Sequence, residues 1–230
     1  MAVKVAKFGG TSMANAESIK EIARIIKSDE ERKFIVVSAP GKRFSEDKKV
    51  TDMLYSCYHE VELNGNCTDS FKKVRERFVK IVDDLGIDLD INRYLDEVEE
   101  GINKYRSADY TASRGEYLGA LVMSAVLGYN FIDAKDVMFF NNDGDFEMEH
   151  TNDVLTAQLK KVGNAVIPGF YGSDSNGNIV TFSRGGSDVS GAVIARAVGA
   201  SVYENWTDVN GFLTADPRIV KNPKHIAKLS

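Results

Sequence analysis

Cysteine is nearly missing from this chain: Cys57 and Cys67 are the two in 230 residues, too few for a disulfide framework. Cys57 falls on the apolar face of a helical pattern and reads as a buried thiol. Histidine is nearly as scarce, and His59, His150 and His225 are scattered, so no Cys/His zinc cluster is in view. No apolar run approaches the length of a membrane span, and Lys4 and Lys7 interrupt the start before any signal-peptide core forms. The expectation is a cytoplasmic protein with no membrane partner. A basic stripe is lacking too; the formal net charge is -5, which argues against nucleic acid. The common phosphate motifs are absent. No G-x-x-x-x-G-K-[ST] occurs, since "GKR" at Gly41 has neither the upstream glycine nor the hydroxyl. No G-x-G-x-x-G follows a strand, and no G-x-S-x-G elbow appears.

What is present is the balance of an ordinary globular protein, 43% hydrophobic and 27% charged. Its length suits one large α/β domain or two small ones. A strand over Val3–Phe8 runs into Gly9–Gly10, followed by a helix whose Ile19, Ile22, Ala23 and Ile26 lie on one face. Asn15 or Ser12 is its cap. Phe34–Val37 is a continuous apolar run, suited to a sheet covered on both faces. From about 51 to 105 the pattern is helical, and its apolar stripes are packing faces. A helix from Ser113 through Val126 follows, then strands at Phe131–Asp133 and Val137–Phe140 and a helix over Thr151–Lys161. Strands at Ala165–Ile167, Ile179–Phe182 and Val202–Trp206, with a helix over Val189–Val198, complete the pattern. Strand–helix alternation at both ends predicts a three-layer αβα sandwich around a mostly parallel sheet. No repeat or linker divides the chain.

Two turns invite a chemical reading. "KFGGTS" sets Lys7 beside Gly9, Gly10 and Ser12, and "RGGSD" sets Arg184 before two glycines, a serine and Asp188. Glycine permits close backbone approach and a helix start offers free N–H groups to an anion. Each turn alone is equally a capped strand-to-helix connection. In "SRGEYLG", Ser113 and Glu116 have capping-box spacing. In "WTDVNGF", Thr207 and Asp208 stand at a strand end, where ligands of open α/β sheets gather; Asp208 could also simply begin the turn at Gly211.

Taken together and in order, "KFGGTS", "SRGEYLGA", "GFYGSDSNGNIVTFSRGGSDVSGA" and "WTDVNGFLTADPR" resemble the aspartate kinases of the amino acid kinase family, from Val3 to about Arg218. The resemblance implies a single catalytic domain over residues 1–230 with the helical block of about 51–105 inserted in it. It implies ATP-dependent phosphorylation of the L-aspartate side-chain carboxylate, with Mg²⁺ on the nucleotide and no metal-ligating residue assigned. Lys7 looks like the catalytic lysine and Asp188 like the aspartate that organises it. Gly9, Gly10 and Ser12 would line the phosphates. Arg184 would grip the substrate α-carboxylate and Glu116 its ammonium group, with Ser38, Thr51 and Phe170 nearby. Thr207, Asp208 and Arg218 resemble nucleotide contacts. A homo-oligomer is implied for the intact protein.

The chain departs from the pattern in places. It stops before the family's downstream lysine segment and carries none of the regulatory ACT domains. Leu213 stands where many relatives have a nucleotide-contacting tyrosine, and the charged stretch at 42–49 is expected to form a mobile lid. The competing readings are an amino acid kinase with another acceptor (glutamate, acetylglutamate or a nucleotide) and a binding module without turnover.

Overall fold

The computed structural model describes residues 2–183, 185–207, 214 and 219–224. Its centre is a five-stranded parallel sheet in the order β3-β4-β2-β1-β7. The strands are β1 (Lys4–Phe8), β2 (Arg32–Val37), β3 (Asn130–Phe131), β4 (Ala165–Pro168) and β7 (Val202–Trp206); a separate antiparallel hairpin joins β5 (Tyr171–Ser173) to β6 (Ile179–Thr181). The helices are α1 (Ala16–Lys27), α2 (Val50–Asn64), α3 (Thr68–Leu85), α4 (Ile91–Tyr105), α5 (Ala108–Leu127), α6 (Met148–Val162) and α7 (Gly186–Ala197).

Alternation along the strands divides the core. Ala6, Phe8, Ile35, Val37 and Val166 pack with α1–α5, whereas Val5, Phe34, Val36, Ala165 and Ile167 pack with α6 and α7. Both faces of the central strands are therefore covered, as the apolar runs Phe34–Val37 of β2 and Ala165–Ile167 of β4 require. The result is the αβα sandwich expected from the sequence. Helix α1 is capped by Asn15, whose side chain accepts from the Ser18 N–H at 2.9 Å. Both cysteines are buried in the layer built by α1–α5.

Three elements differ from the sequence expectation. Helix α5 starts at Ala108, capped by Ser107, so Ser113 is internal and donates back to the Tyr110 carbonyl. The Ser113–Glu116 spacing is therefore no capping box, and Glu116 is released from that role. Val137–Phe140 is not a strand: the Val137 and Met138 N–H groups turn back to Ala134 O, and the Phe139 N–H goes to Thr151 Oγ1. With those donors turned elsewhere, pairing is limited to isolated bridges, Phe139 with Ser173 and Phe140 with Phe146. The 42–49 stretch is not loose. Asp47 is buried and accepts from Arg43 at 2.7 and 2.9 Å and from buried Arg77 of α3 at 2.7 Å.

Candidate active site

Lys7 lies in β1, opposite Val36 of β2 and Asn205 of β7. Gly9 follows the end of β1, and Lys7 is a strand residue, as the expected Val3–Phe8 strand has it, only 9% exposed. Its neighbours Ala6 and Phe8 face α1–α5, so strand alternation sends Lys7 to the α7 side. There its Nζ meets Asp188 Oδ1 at 2.6 Å. The same oxygen accepts from Asn205 Nδ2 at 3.2 Å, and the Tyr203 hydroxyl donates to the Asp188 carbonyl at 3.1 Å. Asp188 stands in the first turn of α7, entered through Gly185 at φ +77, a conformation that favours glycine.

The opening glycine turn closes on the same place. The Gly9 N–H donates to Trp206 O at 3.3 Å, and a Cβ built on Gly9 would lie 4.0 Å from Lys7 Nζ. A Cβ on Gly10 would come within 2.8 Å of Ala39 O, so the turn can sit this close only without a side chain. The Gly41 N–H donates to Gly10 O at 2.7 Å, the Ser38 N–H to Phe8 O at 3.1 Å, and the Ser12 N–H to Gly9 O at 3.1 Å. The Val50 N–H donates to Pro40 O at 3.0 Å, which fixes half-buried Thr51 at the start of α2 beside the 38–41 loop.

Glu116 approaches that loop from α5. Burial pushes its carboxyl up to about 7, against the opposing hydrogen bond from the Ala39 N–H. Among the described residues its Oε2 has no hydrogen-bond partner. Such an orphan is uncommon in a folded protein and asks for a donor. Phe170 adopts φ +81, unusual for a bulky residue. It is held by Ser190 Oγ, which accepts from its N–H at 3.1 Å, and by the Phe182 N–H, which donates to its carbonyl at 2.8 Å.

Lys7, Asp188 and Gly9 are thus in one group. Gly10, Ser38 and Glu116 meet around Ala39, Thr51 joins through Pro40, and Phe170 is tied to α7. Thr207 is exposed and follows β7 directly. Arg184, Asp208, Leu213 and Arg218 lie outside the described residues. Asn205 and Tyr203 were missed from sequence. An asparagine inside a central-sheet strand at the register of Lys7 is the signal that could have found the first.

Lys7 beside its glycine turn and Asp188 at the start of α7 gather at the carboxyl ends of parallel strands, with the orphaned Glu116 carboxylate reaching the loop after β2 from α5. This is the side of an open α/β sheet where ligands bind. The model of the amino acid kinase family matches residues 2–230, and the chain belongs to that family. The structure is similar to aspartate kinase from Clostridium acetobutylicum, with TM-score 0.92 and 48% identity over 97% of this chain and 52% of that one. It is also similar to E. coli aspartokinase III, solved with aspartate and ADP in its R-state, with TM-score 0.84 and 26% identity over 97% of this chain and 53% of that one. Aspartokinase 3 of Bacillus subtilis (strain 168) is 32% identical over 249 residues, covering 99% of this chain and 53% of that protein. The chain thus spans about half the length of these relatives.

Proposed function

We propose that the chain is the catalytic domain of an aspartate kinase, transferring the γ-phosphoryl group of ATP to the side-chain carboxylate of L-aspartate to give 4-phospho-L-aspartate, the first step toward lysine, threonine and methionine. The observation that carries the reading is the Lys7–Asp188 pair at 2.6 Å, beside the Gly9–Gly10 turn and at the start of α7. The likeness to an aspartokinase solved with aspartate and ADP supports the acceptor. A cytoplasmic location and a homo-oligomeric intact enzyme belong to the same reading.

The chemistry suits this donor set. An aspartate side chain with a pKa near ~3.9 is already ionised at neutral pH, so a carboxylate oxygen attacks the γ-phosphorus without a general base. The obstacle is an anion meeting an anionic triphosphate, and catalysis rests on positioning and positive charge. A helix terminus contributes about 0.3–1 kcal/mol, whereas a fixed donor in a dry site is worth roughly 2.7–4 kcal/mol. Lys7 therefore outweighs the α7 start. Asp188 Oδ1, which faces both Lys7 and Asn205, orients the ammonium group. The half-exposed Asp188 carboxylate is a hard oxygen donor of the kind Mg²⁺ favours; it would help hold the ion, which would supply positive charge against the triphosphate. Gly9, Gly10 and Ser12 line the phosphates, with Thr207, Asp208 and Arg218 toward the nucleotide. Glu116, its Oε2 without a donor, takes the substrate ammonium, and Arg184 the α-carboxylate. Ser38, Thr51 and Phe170 shape the acceptor side.

A coupled ADP-release assay with aspartate, glutamate, acetylglutamate and a nucleoside monophosphate as acceptors tests the reading. Turnover with aspartate alone is expected. Turnover with another acceptor in its place, or ATP binding by calorimetry without turnover, would overturn it.

A further inference from the structure

Away from Lys7 and Asp188, a cleft of about 560 Å³ opens between α4, α5 and the turn of the β5–β6 hairpin, a volume typical of small-ligand sites. Its wall includes Glu97, Tyr105, Tyr110, Arg114, Asp133 and Lys135. Arg114 is 4% exposed, and its guanidinium stands 4.6, 4.8 and 5.1 Å from the ring centroids of Tyr110, Tyr117 and Tyr171. The rings relieve part of the cost of burying the charge. Nε and Nη2 share one acceptor, Ser113 Oγ, at 3.1 and 2.9 Å. A guanidinium fork carries more N–H donors than one hydroxyl can take.

The carboxylates of the wall are already engaged. Asp133 accepts from the Tyr171 hydroxyl at 2.7 Å and from the Lys135 N–H at 3.1 Å, with Lys135 Nζ 3.9 Å away. Glu97 pairs with Arg93 at 3.1 Å. Among the described residues lining the cleft, Arg114 is the charge without an ion partner. A buried cation in that condition calls for an anion. One unspent positive charge flanked by two carboxylates matches a singly charged carboxylate and disfavours a phosphate dianion. Of the tyrosines, Tyr105, Tyr110 and Tyr117 line the cleft and offer a flat surface to an apolar body.

We propose that this cleft is a second binding site, distinct from the phosphoryl-transfer cleft, for a small organic monocarboxylate that pairs with Arg114 and packs its body on the tyrosine rings.

Benzoate is a suitable probe, followed by calorimetry and by amide NMR shifts on the 230-residue chain, with benzamide and inorganic phosphate in parallel. The expected result is saturable benzoate binding that shifts Ser107 and Ile179, persists in the presence of ATP, and weakens at least about 10-fold in Arg114→Met. Benzamide and phosphate should bind much more weakly. Absence of saturable binding, equal binding of benzamide, tighter binding of phosphate, or an unchanged affinity in Arg114→Met would overturn the proposal. Should Arg114→Met fail to fold, Tyr105→Ala decides. Tyr105 is 57% exposed, and its loss should weaken benzoate several-fold; unchanged affinity would count against the site.

Discussion

Glu116 links pH to stability and, in the proposed enzyme, to substrate use. Its folded carboxyl lies near 7 against an ordinary 4.5, so between those values the folded chain binds the proton more tightly than the unfolded chain does. From this group, stability falls as pH rises through that window and the cost is complete above about 7. Glu116→Gln should remove that slope and stabilise the protein by up to about 3 kcal/mol at pH 8, read from denaturant midpoints. In the proposed enzyme the same change removes the anion that meets the substrate ammonium. The aspartate KM of the parent should rise below pH 7, and that rise should vanish in Glu116→Gln. Lys7→Ala makes a complementary case. Its partner Asp188 is 49% exposed and can be hydrated when left alone, so the melting temperature should move by only a few degrees. The turnover number should fall about 10²–10³-fold, measured by ADP release. The sequence held both residues in view through their motifs, but not their settings. That Lys7 is buried and paired with Asp188 follows from the packing of α7 on β1, elements far apart in the chain.

The 42–49 segment behaves as a strut. Arg77 of α3 donates to Asp47 Oδ2, to Gly41 O at 3.2 Å and to Lys48 O at 3.1 Å. Gly41 in turn donates to Gly10, so α3 braces the glycine turn through two bonds. Asp47 is held well below the usual carboxylate range, first by Arg43, against burial, and further by the charge of Arg77. Its contribution to stability is present above the ordinary carboxylate pKa and is lost as pH falls toward the folded value. Arg77→Met leaves that buried carboxylate short of a partner and should cost about 3–5 kcal/mol, with a raised aspartate KM as the 38–41 loop loosens. Gly10→Ala should lower activity without a comparable loss of stability in the helical layers, because its Cβ meets Ala39 O at 2.8 Å; paired melting and ADP-release curves check both. Composition made 42–49 look mobile, since a run of charges gives no hint that a buried arginine from another helix completes it. Helix α1 was legible because its cap and apolar stripe are local. The β5–β6 hairpin was half seen: Ile179–Phe182 reads as a strand, while the short strand Tyr171–Ser173 lacks a pattern of its own.

Across the whole molecule, the site is a product of parallel topology. Strands β1, β2, β4 and β7 all deliver their carboxyl ends to one side of the sheet, and α5 and α7 flank that side from opposite layers. Glycine turns far apart in sequence are thereby brought to the same sheet edge, with Lys7 between them. The layer architecture was readable because the apolar runs of β2 and β4 demand cover on both faces. The Arg114 cleft was not, since it depends on where α4 and the hairpin meet. The central claim is that this edge forms an acyl phosphate on aspartate under the charge of Lys7. The direct measurement is trapping with hydroxylamine after incubation of the 230-residue chain with ATP, Mg²⁺ and L-aspartate. Aspartyl hydroxamate should accumulate with the parent chain and fall at least about 100-fold in Lys7→Ala. Equal hydroxamate from the two proteins, or none from the parent while ATP still binds, would contradict the account.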